Sequence, residues 1–86
     1  MDWAKFHFLV NDTIARLTTA AGDRKEIEAC LRRYVQKAQK LKVPEKVLRD
    51  YLSVNSPSML QRADYGEIES EKIVIVFDRL MQEHFE

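Results

Sequence analysis

The chain has 86 residues, of which 45% are hydrophobic and 33% charged, with two glycines, two prolines and a formal net charge of zero. This composition is typical of one ordered globular domain over residues 1–86, and it excludes a disordered or low-complexity chain. The single cysteine, Cys30, excludes an internal disulfide, and the longest apolar run, residues 73–77, is far shorter than the roughly 18 residues of a membrane span.

A helical hairpin is predicted for the first half of the chain. Asp2 can cap a first helix that ends near Gly22. Its apolar stripe, at the three-and-four spacing of one helix face, is Trp3, Phe6, Val10, Ile14, Leu17 and Ala21. Asp23 and Glu26 have the spacing of a reciprocal capping box, which starts a second helix. The stripe of that helix is Ile27, Cys30, Leu31, Tyr34, Ala38 and Leu41.

Two short helices are predicted next. Pro44 ends the second helix, because the residue before a proline avoids the α conformation, and it suits the first position of a third helix. The buried side of this third helix would be Val47, Leu48, Tyr51 and Leu52. Ser56 before Pro57 repeats the same signal and predicts a further short helix over residues 57–63.

The last element, residues 68–85, has a mixed pattern. Residues 73–77 are β-branched or aromatic, which favours a strand. Helical spacing is kept by Ile73, Val76, Phe77, Leu80 and His84. Because the chain has no second strand-like run, we predict a helix, with an intermolecular strand over residues 72–77 as the alternative. The expected fold is an all-α bundle of four or five helices whose first two form an antiparallel hairpin.

The predicted last helix is apolar around much of its circumference. Val74, Met81 and Phe85 widen its apolar face, while Ile68 and Ile75 lie behind it. A helix of this kind is either central in its domain or shared with a second chain, and we expect a homodimer built largely on it. Trp3 is expected to anchor the stripe of the first helix, whereas Phe8 falls off that stripe. The expected apolar interaction residues are Val74, Met81, Phe85, Ile75 and Phe8.

Charge is segregated along the chain. Residues 24–49 sum to +6, and residues 50–86 sum to −5. In the second helix Arg33, Lys37 and Lys40 form a row of like charges, which invites an anion. That anion could be a phosphate or an acidic patch of the same chain, composed of Asp64, Glu67 and Glu71.

Residues 47–66 carry a further pattern. Leu48 and Leu52 would pack the first helix of a pair, and Val54 follows the turn. Met59 or Leu60 would anchor the second helix, which Gly66 ends. The stretch resembles the helix-turn-helix of small phage-repressor-like regulators.

That resemblance implies a recognition helix that carries Ser58, Gln61 and Arg62. In a DNA complex, the basic row Arg33, Lys37 and Lys40 of the second helix would contact phosphates. Affinity for DNA comes largely from cations that neutralise phosphates, yet the segment around this pattern is acidic. DNA binding is therefore the alternative function.

No pattern of residues predicts catalysis. His7, Cys30 and His84 lie on separate predicted helices without metal-ligand spacing, and neither glycine belongs to a phosphate-binding loop. We therefore expect no enzyme, cofactor, metal or small-molecule substrate. Asp2, Lys5 and Asp12 interrupt the apolar stretch that a secretory signal would need, so a cytoplasmic protein is expected. The expected function is a regulatory or adaptor protein that binds a protein partner through helix faces.

Overall fold

The computed structural model describes residues 2–20, 22–52, 58–63 and 65–85, without the side chains of residues 58, 61 and 67. All the secondary structure in these segments is helical, which confirms the predicted all-α bundle. The five helices are α1 (Trp3–Ala20), α2 (Arg24–Lys40), α3 (Glu45–Tyr51), α4 (Ser58–Arg62) and α5 (Glu67–Phe85). Residues 72–77 lie inside α5, so the alternative of an intermolecular strand is wrong for this structure.

The start of α1 and the turn into α2 follow from local hydrogen bonds. The Lys5 N–H donates to the Asp2 carboxylate at 3.2 Å, as a helix cap requires. Between the two helices, Gly22 has a positive φ of 84°, a conformation that glycine adopts without steric cost. The turn reverses the chain, and α1 and α2 pack against each other as an antiparallel hairpin.

The predicted capping box of α2 is only half formed. The Asp23 carboxylate accepts from the N–H groups of Lys25 and Glu26 at 3.0 and 3.3 Å. The reciprocal bond from Asp23 N–H to the Glu26 side chain was expected, but that N–H donates to the Ala20 carbonyl at 2.9 Å instead. The tight turn already satisfies the donor, so Glu26 is not needed there.

A Schellman motif ends α2. The Lys42 N–H donates to the Gln39 carbonyl at 3.0 Å, and the Val43 N–H donates to the Ala38 carbonyl at 3.1 Å. Lys42 occupies the left-handed position of the motif with a φ of 59°. Pro44 was expected to be the first residue of α3. It is instead the N-cap residue, in an extended conformation, and the helix begins at Glu45.

The third long helix, α5, packs beside α2 and runs parallel to it. Glu28 in α2 contacts Arg79 at 2.9 Å, whereas further along α2 the Gln39 side chain donates to the His84 carbonyl at 2.8 Å. The apolar faces of α1, α2 and α5 meet in one core. Its largest fully buried side chains include Phe6, Leu17, Leu31, Tyr34, Phe77, Leu80 and Met81.

The two short helices, α3 and α4, contribute further side chains to this core. Leu48 and Leu52 from α3 are buried, and the Tyr51 ring meets the Phe6 ring edge-on at a centroid distance of 5.1 Å. The helix α4 packs mainly against α1 and buries Met59 and Leu60. After α4, the Tyr65 hydroxyl donates to the Leu17 carbonyl at 2.7 Å, which ties the chain before α5 to the end of α1. The predicted helix start at Ser56 and Pro57 lies outside the described residues.

Candidate functional site

A groove of about 300 Å³ runs between α1 and α2 near the end of the hairpin away from its turn. We call it the α1–α2 groove. Its cationic lining residues are Lys5, Arg33, Lys37 and Lys40. Its apolar lining residues are Phe8, Leu9 and Leu41, and its one carboxylate is Asp12. The groove therefore gathers the whole predicted basic row and adds cationic, aromatic and acidic groups from α1.

One of these cations is already paired. Asp12 contacts Arg33 Nη1 at 2.6 Å and Arg16 Nε at 3.1 Å. The hydrogen bond from Arg16 is the largest influence on the Asp12 carboxyl and lowers its pKa. Burial acts in the opposite direction, but the hydrogen bond from Arg33 and the positive charges of both arginines keep the pKa of Asp12 below its usual value. Among the described residues, Lys37 and Lys40 have no carboxylate within ion-pair distance, and both are exposed.

The acidic start of α5 does not pair with the basic row. Because α2 and α5 run parallel, the first turns of α5 lie beside the first turns of α2, where Glu69 and Lys72 share a cavity with Arg24. Glu71, an expected acidic partner, therefore lies near the beginning of α2, whereas Lys37 and Lys40 lie near the end of that helix. The side chains of the two other expected partners, Asp64 and Glu67, are outside the described part of the chain.

The apolar surface of α5 is smaller than the sequence suggested. Val74 and Met81, expected to contact a partner, are 8% and 0% exposed because the other helices of the same chain cover them. Phe85 is half-buried against that core. Ile68 and Ile75 remain 70% and 69% exposed on the opposite side of the helix.

Two aromatic residues of α1 are also exposed. Phe8 is 76% exposed beside the α1–α2 groove. Trp3, expected to be a core anchor, is 53% exposed in the first turn of α1, where its ring makes T-shaped contacts with Phe6 and His7 at centroid distances of 6.0 and 5.8 Å.

The second helix of the helix-turn-helix pattern, α4, does not project from the domain as a recognition helix would. It has five residues and packs on α1, and the Arg62 guanidinium donates to the Asn11 side chain at 3.3 Å. Arg62 is exposed. The side chains of Ser58 and Gln61, and the whole of Val54, lie outside the described residues.

The three residues considered for metal binding or nucleophilic chemistry lie apart. Cys30 is half-buried on α2, and burial raises the pKa of its thiol. His7 lies near the Tyr51 hydroxyl at 3.4 Å, and His84 Nδ1 lies 2.9 Å from the Leu80 carbonyl within α5. The described segments contain no group of three histidine, cysteine or acidic side chains arranged to hold a metal ion.

Lys5 and Asp12 are groove residues that the sequence analysis missed. They lie three and four residues from Phe8, so all three share one side of α1. This spacing was the available signal, but only the pairing of α1 with α2 shows that this side faces Lys37 and Lys40.

No protein family model matches the chain, and no curated protein or solved structure matches it. None of the helices in the described segments combines the length and the hydropathy needed to cross a bilayer.

Proposed function

We propose that this chain is a non-enzymatic regulatory or adaptor protein that binds other proteins through exposed helix faces, and that it forms a homodimer through the outer face of α5. The observation that supports the proposal best is the pair Ile68 and Ile75. Both side chains are about 70% exposed, and their separation of seven residues places them on one side of α5.

The isoleucine pair is more informative than single exposed apolar residues, which are common on protein surfaces. Complete burial of one such side chain stabilises an association by roughly 1.5–3 kcal/mol. The core of the chain is closed without these two side chains, so neither contributes to it by burial. Their stripe is bordered by Glu71 and Lys72, which would form a charged rim around an apolar centre.

An antiparallel, two-fold symmetric pairing of α5 with the α5 of a second copy would bury the isoleucines and pair the charged residues. When the axis passes between Glu71 and Lys72, Ile68 of one copy faces Ile75 of the other. The same symmetry brings Glu71 of each copy to Lys72 of the other copy. Apolar and charged positions are therefore self-complementary along this face.

The homodimer predicts a mass that rises from monomer to dimer between micromolar and millimolar concentration in sedimentation equilibrium. Ile75→Glu should shift the protein to monomer, because a carboxylate would be buried at the centre of the contact. Gln36→Glu, an exposed substitution on α2 with the same charge change, is the control and should leave the dimer intact.

Charge exchange gives a second check of the pairing. Glu71→Lys alone should weaken the dimer, and addition of Lys72→Glu should restore it, because the double variant keeps the complementary rim. A wild-type protein that stays monomeric at all concentrations would refute the homodimer.

DNA binding, the alternative function, receives less support from this geometry. A recognition helix must project its side chains into the major groove, whereas α4 is a five-residue helix whose Arg62 is hydrogen-bonded to Asn11 of α1. The basic residues Arg33, Lys37 and Lys40 lie on a different helix, in a groove that also contains Asp12. We therefore keep protein binding as the proposed function.

A further inference from the structure

We propose that the α1–α2 groove binds an acidic peptide segment of a partner protein, with one large apolar side chain of that segment packed beside Phe8. This inference rests on the proposed function as a protein-binding protein and adds the chemistry of the partner. It concerns a surface separate from the Ile68 and Ile75 pair on α5.

Charge complementarity indicates an acidic partner. Asp12 compensates Arg33 across the groove at 2.6 Å. Lys5, Lys37 and Lys40 are exposed and have no ion-pair partner among the described residues, so the groove carries an excess of positive charge. Like charges at this spacing repel one another, and carboxylates placed between them would relieve that repulsion.

The apolar lining indicates that the partner also supplies an apolar side chain. Phe8 is 76% exposed at the groove, while Leu9 and the half-buried Leu41 provide apolar surface beside it. The volume of about 300 Å³ is at the lower end for ligand pockets, which suits one large side chain rather than a folded domain. Phenylalanine and arginine, both present in the groove, are enriched at protein interfaces relative to the rest of the surface.

A peptide fits these features better than a nucleic acid does. From Arg33 to Lys40 the cations extend over about 10 Å of helix, which is too short to follow a run of phosphates. Proteins that bind DNA strongly neutralise roughly 6–10 phosphates, more than this groove can contact. Asp12 would also repel a phosphate, whereas an acidic peptide can place its carboxylates toward Lys37 and Lys40 and its apolar side chain toward Phe8.

The experiment begins with the full chain immobilised and panned against a random 12-residue peptide library displayed on phage. We expect enrichment of peptides in which acidic residues flank one leucine or aromatic residue. The most enriched peptide is then synthesised with a fluorophore, and its affinity is measured by anisotropy. Added salt should weaken its binding, because rim charges of this kind are screened.

Groove variants locate the peptide site. Lys37→Glu should weaken binding by tenfold or more, and Phe8→Ala should weaken it by about tenfold, as hot-spot truncations do. Both side chains are exposed, so both variants should fold. Lys25→Glu has the same charge change in the first turn of α2 outside the groove, and it should change the affinity by less than about twofold.

Amide chemical shifts of the wild-type protein test the same contact without a substitution. Addition of the peptide should shift the amide signals of Phe8, Leu9 and Leu41 more than those of Ile68 and Ile75. Enrichment of no peptide, or of peptides without acidic residues, would overturn the inference. Displacement of the peptide by random-sequence duplex DNA would overturn it in favour of nucleic acid.

Failure of this inference is distinguishable from failure of the proposed function. If Ile75→Glu abolished peptide binding while Lys37→Glu and Phe8→Ala did not, the groove would be excluded and protein binding through α5 would stand. If the groove bound the peptide but the chain never dimerised, the homodimer alone would fail.

Discussion

Lys42 has a backbone conformation that costs free energy in any residue with a side chain. Its φ of 59° is left-handed, and the Schellman motif at the end of α2 requires it there. Glycine adopts this conformation without the steric penalty of roughly 1–2 kcal/mol. Part of that gain is offset, because glycine also increases the conformational entropy of the unfolded chain.

Lys42→Gly should therefore increase the free energy of unfolding by about 0.5–1 kcal/mol. Lys37→Gly, at an exposed position inside α2, is the matched control and should lower it by about 1 kcal/mol. Urea unfolding followed by circular dichroism measures both. A Lys42→Gly protein less stable than wild type would show that the left-handed conformation is not adopted.

The elements differ in how far their sequence determined them. Asp2, Asp23 and Pro44 act locally, so the limits of α1, α2 and α3 followed closely from the sequence. For α5, the helical spacing of its apolar residues predicted the structure better than the strand propensity of residues 73–77. The helical spacing of the apolar residues allows α5 to pack on α2. Packing of this kind contributes more to stability than the intrinsic strand preference of β-branched residues does.

Unlike the limits of the helices, the packing partners of each helix could not be predicted from the sequence. Periodicity placed Val74 and Met81 on a widened apolar face, but only the arrangement of the helices shows that the same chain covers them. The groove was half predicted for the same reason. Lys37 and Lys40 formed a visible row, whereas Lys5 and Asp12 joined it through the antiparallel pairing of α1 with α2.

The contact of Asp12 with Arg33 joins α1 to α2 and should make the hairpin sensitive to acid. Because the pKa of Asp12 is lower in the folded chain than in the unfolded chain, its contribution is complete above the unfolded value of about 4. That contribution is lost as the pH falls through the lower, folded value. Arg16 and Arg33 are partly exposed, so the pair should contribute less than about 1 kcal/mol at neutral pH.

Asp12→Asn should remove this contribution and make the decline in stability below pH 4 shallower than in wild type. Asp50→Asn is the control, because Asp50 is exposed and has no ion-pair partner among the described residues. Thermal unfolding at a series of pH values measures the difference. Parallel pH profiles for wild type and Asp12→Asn would contradict the coupling.

At the scale of the whole molecule, the closed core determines how folding relates to assembly. Phe6, Tyr34 and Phe77 are fully buried within one chain, together with Leu80 and Met81 of α5. Small chains have thin cores and often rely on a second chain. Here the surface proposed for the dimer consists of Ile68 and Ile75, which contribute nothing to that core by burial.

The monomer should therefore be folded, and dimerisation should only add to its stability. Ile75→Glu is expected to keep the helical circular dichroism spectrum of wild type and to unfold cooperatively at a Tm independent of concentration. The Tm of wild type should rise with protein concentration, because the folded state alone dimerises. A variant that loses helicity would show instead that folding requires the second copy, and the core would then have to be shared between chains.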